Sequence, residues 1–131
     1  DNGELVEAKY TVTTYDSGWL DYLEGFYISN FTFEVKFASG HNNSSNTDNM
    51  AVYGMTESGK EVVLYTWTGN MQSTLHASNL KVLNSLDEKI RQIRFYTYSP
   101  HDDCAKSATI KYSIYYKFDP ELMESTYKPI N

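Results

Sequence analysis

The chain has 131 residues, 40% of them hydrophobic and 21% charged, the composition of one folded domain rather than of a disordered segment. Its formal net charge of −6, with 11 scattered basic residues and no two of them adjacent, argues against a nucleic-acid partner. No apolar run approaches the length of a membrane span, so no membrane partner is expected either.

Two further features of composition matter. The single cysteine, Cys104, excludes an internal disulfide. That fits a cytosolic protein or one secreted by an organism that does without disulfides. The chain opens on Asp1 without Met or a signal segment, as a mature product or excised module would. Aromatic residues reach 15%, including 12 tyrosines. Tyrosine favours strands, and it favours gripping surfaces because its ring is apolar while its hydroxyl stays wet.

In chain order, "VEAKYTVTT" alternates Val6, Ala8, Tyr10 and Val12 with polar residues, which predicts a half-buried strand. "YDSGWLDYLEGF", residues 15–26, is too polar and broken for a strand. It reads as a loop in which Trp19 and Tyr22 either close one end of a binding face or tuck back to plug the core. "NFTFEVKFA" is the clearest strand, with Phe31, Phe33, Val35 and Phe37 on one side. "GHNNSSNTDN", residues 40–49, follows as a long polar loop.

"MAVYGMT" and "EVVLYTWT" flank "ESGK", a tight hairpin with Gly59 supplying a positive φ. A two-residue loop opposes Met55 with Val62, Tyr53 with Leu64 and Ala51 with Thr66 on the inward side. Tyr65 and Trp67 then point outward, about 7 Å apart. The reverse assignment makes Tyr65 and Trp67 core and leaves Tyr53 and Leu64 at solvent. "STLHA" and "LKVL" are shorter strands. "SLDE" at 85–88 has capping-box spacing but reads better as a turn. "IRQIRFYTYS" places Arg91, Ile93, Phe95 and Thr97 on a core row and Gln92, Arg94, Tyr96 and Tyr98 on the other. After the loop "PHDDCAKS", the run "ATIKYSIYYKF" alternates cleanly. "DPELMESTYKPIN" reads as an appendage, so the domain is expected over 1–118 and the tail over 119–131. Seven or eight strands with no long helix predict an antiparallel β-sandwich, jelly-roll or immunoglobulin-like.

No catalytic constellation stands out. His41, His76 and His101 fall in separate segments without zinc spacing. Cys104 and His101 share a polar loop with nothing to orient the imidazole. Glu24, Glu34, Glu57 and Glu61 read as solvated strand and loop acids rather than a glycosidase pair. Sequons at Asn30, Asn42 and Asn43 arise readily in such a composition. Asp102 and Asp103 offer carboxylates to a structural calcium, or simply turn chemistry; no cofactor is required.

The aromatic rows carry more. Trp67 with Tyr65, and Gln92, Arg94, Tyr96 and Tyr98, combine planar rings with forked polar donors. A sugar ring matches both, through C–H bonds that pack on aromatic faces and an equatorial rim of hydroxyls.

The tyrosine-rich strands "EVVLYTWT", "IRQIRFYTYS" and "ATIKYSIYYKF", with the acidic charge and near-absence of cysteine, resemble the β-sandwich carbohydrate-binding modules of plant-cell-wall-degrading, cellulosomal-type enzymes from anaerobic bacteria. The resemblance covers about residues 4–118. It implies a secreted, monomeric, non-catalytic module, tethered to a glycoside hydrolase and attached to a β-glucan, xyloglucan or mannan. It also gives "HDDC" a place as a structural calcium loop. A protein-interaction or adhesin-type sandwich using the same aromatic face is the alternative.

Overall fold

The computed structural model describes residues 3–11, 16–36, 48–69, 75–78, 83, 86–98 and 109–123. Seven strands run antiparallel: β1 (Gly3–Thr11), β2 (Phe26–Lys36), β3 (Asp48–Thr56), β4 (Glu61–Gly69), β5 (Leu75–Ser78), β6 (Ile90–Tyr98) and β7 (Thr109–Phe118). Their order is β1-β7-β2-β6-β3-β4, with β5 also on β2. The β2–β6 junction is a single pair, Ile28 with Ile90, so the sheet folds over at that corner. One layer is β1-β7-β2-β5 and the other is β6-β3-β4.

The aromatic residues of the two layers meet in the middle. Phe33 packs edge-on to Tyr65 at 5.4 Å, Phe31 edge-on to Phe95 at 6.4 Å, and Tyr112 stacks on Phe95 at 5.3 Å. Phe31, Val35, Val52, Ile93, Phe95 and Ile110 are fully buried around them. This is the expected all-β sandwich, built on burial of large side chains from both inner faces.

The layers also choose between the two expected topologies. An immunoglobulin order would put the last strand in the same layer as β3 and β6. Here β7 lies between β1 and β2. Residues 16–20 supply an irregular eighth member alongside β6. Asp16 bridges Tyr96, the Ser17 N–H donates to the Phe95 carbonyl at 2.9 Å, and the Leu20 N–H donates to the Ile93 carbonyl at 3.0 Å. Layers of β1-β7-β2-β5 and (16–20)-β6-β3-β4 are the arrangement of a jelly roll. The 16–20 segment also satisfies the free edge of β6, which would otherwise be open to pairing.

Three register shifts bend the strands. They leave Ser29, Leu64 and Arg91 as the extra residues of β2, β4 and β6. Each exchanges the two faces of its strand. In β2 the buried positions run Ile28 and then Phe31, Phe33 and Val35. In β4 the core receives Leu64 and, immediately after it, Tyr65 and Trp67. Gly59 supplies the expected positive φ, at +89, but the turn is not the expected two-residue loop: the Thr56 N–H donates to the Lys60 carbonyl at 2.9 Å, and Met55 pairs with Glu61 and Tyr53 with Val63 in place of Val62 and Leu64. Leu83 of the expected strand 80–83 accepts a turn hydrogen bond from Leu86 at 3.2 Å and packs on the core.

Beyond β7 the packed chain continues past residue 118, where the sequence suggested an appendage. The Asp119 N–H donates to the Gly25 carbonyl at 2.8 Å, and its carboxylate pairs with Lys89 at 2.9 Å. A 3-10 turn, Pro120–Leu122, then buries Leu122.

Gly54 lies at a close approach of β3 to β4 and β6. A Cβ there would fall 2.9 Å from Leu64 Cδ1 and within 3.1 and 3.2 Å of two Ile90 side-chain carbons. Gly54→Ala is expected to cost roughly 1–3 kcal/mol through overpacking. Urea denaturation reads this as a lowered midpoint, and an unchanged midpoint would contradict the packing described.

Candidate functional site

The outer face of β6-β3-β4 is set by the same registers. Tyr53 pairs with Arg94 on one side and Val63 on the other; Ala51 pairs with Tyr96 and Thr66; Asn49 pairs with Tyr98 and Thr68. All of these positions lie opposite the core row of Met50, Val52, Ile93, Phe95 and Thr97. Because Ala51 has only a methyl group, a hollow of about 200 Å³ opens beside it, lined by Asn49, Ala51, Tyr53, Thr66, Thr68 and Tyr96 with contributions from Met50 and Trp67. One wall is held by the Thr68 hydroxyl, which donates to Asn49 Oδ1 at 2.8 Å.

Arg94 anchors the aromatic side. Its guanidinium carbon lies 5.5 Å from the Tyr53 ring centre and 5.7 Å from that of Tyr96. Its Nε and Nη2 donate to the two carboxylate oxygens of Asp16 at 2.9 and 2.5 Å, a bidentate fork that fixes the plane of the group. Asp16 is itself pinned, accepting from the Gly18 N–H at 2.8 Å in a turn that Gly18 makes with φ +70. The hydrogen bond from Arg94 holds the Asp16 carboxyl below its ordinary 3.8, and the same bond raises Arg94. Neither donor on Nη1 has a hydrogen-bond partner among the described residues.

This geometry redistributes the residues that the sequence singled out. Tyr96 and Arg94 face outward as expected. Gln92 does not: it is fully buried, and its Nε2 donates to the Leu20 carbonyl at 2.8 Å. Tyr65 and Trp67 are turned to the core side by the Leu64 bulge, against the expectation that they point outward. Tyr65 packs on Phe33, and burial pushes its hydroxyl up. Trp67 is half-buried against the core while still lining the hollow. Tyr22 has the Arg91 guanidinium over its ring at 4.8 Å, and Arg91 Nη2 donates to the Leu23 carbonyl at 3.3 Å, so this tyrosine braces the buried end of β6. Trp19 is half-buried in the same segment and is not among the residues lining the hollow. The side chain of Tyr98, and Asp102, Asp103 and Cys104, lie outside the described residues.

Sequence reasoning missed Tyr53, Ala51, Thr66 and Asp16. The first three were assigned inward by unbroken alternation. Asp16 was visible only as part of a polar turn, although the "DSG" run is the signal for the aspartate-anchored turn that positions it.

A larger groove of about 420 Å³ crosses the opposite layer over Thr32, Glu34, His76, Lys111 and Ser113. There Glu34 and His76 approach to 3.5 Å across β2 and β5. No outward aromatic ring lines it, so it lacks the stacking surface of the first site. Among the described residues no three His, Cys, Asp or Glu side chains come together as a metal would require.

No protein-family model and no curated protein matches the chain. Solved structures match it only at low identity and with TM-scores below one half. A Bacillus endospore appendage pilus subunit has a TM-score of 0.45 and 6% identity over 89% of this chain and 87% of its own. A family 28 carbohydrate-binding module specific for non-crystalline cellulose has 0.42 and 13% over 86% and 73%. Turnip yellow mosaic virus has 0.39 and 8% over 100% and 85%. At these scores the function has to be argued from the site itself.

The Asp16–Arg94 pair predicts an acid dependence. A carboxylate depressed on folding stabilises the protein above its ordinary 3.8 and loses that contribution as pH falls through its lower folded value. Asp16→Asn should therefore be less stable than wild type at neutral pH by about 1 kcal/mol or less, because the pair is partly exposed. The gap in urea midpoints should close as pH drops below 3.8. A gap that stays constant to acid pH would show that the charge of Asp16 contributes nothing.

Proposed function

We propose that this chain is a non-catalytic carbohydrate-binding module. It attaches to a plant cell-wall polysaccharide of the β-glucan, xyloglucan or mannan class and keeps a linked glycoside hydrolase near its substrate outside the cell. The observation that carries the reading is the outward pair of Tyr53 and Tyr96 lining the hollow at Ala51, with Arg94 packed against both rings. The tyrosine rings offer apolar faces to the C–H side of a pyranose. The Nη1 donors of a guanidinium already fixed in plane, without a partner among the described residues, supply hydrogen bonds to ring hydroxyls. Thr66, Thr68 and Asn49 add short polar groups on the opposite wall. The hollow is open and shallow, which suits attachment to a chain passing over the sheet.

Fixed donors matter because binding is penalised for every side chain it has to order, and Arg94 is ordered before the ligand arrives. A protein partner on the same face is the competing reading; the exposed Val63 beside Tyr53 would suit it.

Calorimetric titration with soluble β-glucan, xyloglucan and galactomannan is expected to give binding. Tyr53→Ala and Tyr96→Ala should each weaken it about tenfold or more, at roughly 0.5–1.5 kcal/mol for the stacking contact together with lost apolar area. Val63→Ala should leave it unchanged. Full binding by the Tyr53→Ala/Tyr96→Ala double variant would overturn this site. No binding to any of the three polymers, with capture of one defined protein instead, would overturn the carbohydrate reading.

A further inference from the structure

We infer that Asp16 is a selectivity residue: by holding the Arg94 guanidinium in a bidentate pair, it offsets the positive charge beside the hollow and restricts the hollow to uncharged glycans, excluding uronate-bearing ones. The inference rests on the carbohydrate reading above and narrows it to a ligand class.

An arginine on an aromatic, hydroxyl-lined surface would ordinarily attract an acidic sugar, because its planar fork matches a carboxylate at two points. Here the side-on fork of Nε and Nη2 is occupied, and only the end-on donors remain. Nε and Nη2 of Arg94 are spent on Oδ1 and Oδ2 of Asp16. None of the described residues lining the hollow carries a charge, so none of them replaces the cation that is offset. Glu61 lies near enough to act on Arg94 electrostatically, which makes the local balance negative. The chain as a whole carries a formal net charge of −6, which works in the same direction at longer range.

A uronate carboxylate brought within a few ångströms of Asp16 therefore meets two carboxylates, Asp16 and Glu61, against one guanidinium whose side-on fork is already taken. In a surface hollow that repulsion is worth roughly ten- to a hundredfold in affinity. A neutral pyranose loses nothing by the pairing, since the Nη1 donors that Asp16 leaves over are the ones its hydroxyls need. Asp16 thus acts through Arg94 as a positioning residue, and its backbone bridge to Tyr96 keeps it beside the ring that closes the hollow.

The test compares cellohexaose and mannohexaose with their counterparts oxidised to the uronate at C6, by titration calorimetry at low and high salt. Wild type is expected to prefer the neutral sugars at least tenfold. Asp16→Asn keeps an oxygen for the Gly18 N–H and for one Arg94 donor but removes the charge. It should strengthen binding of the oxidised sugars at least tenfold, and added salt should weaken that gain. Arg94→Gln, which leaves Asp16 charged and alone, should widen the preference for neutral sugars and so provides a second reading if Asp16→Asn proves poorly folded. A purely structural role for Asp16 would weaken both ligands in parallel without changing their ratio. If wild type binds the oxidised sugars as well as the neutral ones, or if neither variant moves the ratio, the inference is overturned while the carbohydrate reading stands. Failure of wild type to bind either kind of sugar removes both.

Discussion

Side chains alternate along an extended strand, so one unpaired residue sends every side chain beyond it to the opposite face of the sheet. In this protein three such residues, Ser29, Leu64 and Arg91, decide which aromatic rings fill the core and which are left outside. Phe31, Phe33, Phe95 and Tyr65 can pack across the two layers only because β2 and β4 change phase before those positions. The same phase change in β4 leaves Ala51 and Thr66 on the outer face of their layer, where Ala51 lies between Tyr53 and Tyr96. Core and candidate site are thus two outcomes of one set of registers.

The site gains rigidity from a segment that forms no regular ladder. Residues 16–20 run along β6 with alternate backbone hydrogen bonds and deliver Asp16 to Arg94. Arg94 is then held by a carboxylate from one side and by two ring faces from the others. A guanidinium so confined behaves less like a mobile surface charge than like a fixed polar element of the surface. That property makes the hollow suited to ligands recognised by hydroxyl geometry rather than by net charge.

Much of this architecture was legible in the sequence. The alternation of Phe31, Phe33 and Val35, the Gly59 turn and the absence of any long helical pattern lead to an antiparallel sandwich. Tyr96 and Arg94 were placed outward correctly because no bulge intervenes between them and the core residues Ile93, Phe95 and Thr97. Two register effects explain the differences. Nothing in "EVVLYTWT" marks Leu64 as an extra residue, since a bulge is stabilised by neighbouring strands and by the sheet's twist rather than by local preference, and Tyr65 and Trp67 fall on the unexpected face beyond it. Tyr53 does so because the turn pairs Met55 with Glu61, one residue off the register of a two-residue loop. Gln92 was misplaced for a different reason: the carbonyl that buries it belongs to Leu20, 72 residues earlier, and no local pattern reports such a partner.

The position of β7 has a consequence for how the molecule is made. It is the last of the described strands and it fills the slot between β1 and β2, the first two. Until residues 109–118 have left the ribosome, β1 has no ladder in its own layer and the middle of that layer is missing. Assembly must wait for the C-terminal end of the domain and then join segments separated by nearly its whole length, a topology that folds slowly. During that interval the tyrosine-rich strands are in water with their edges unpaired, and a net charge of −6 disfavours their association with one another.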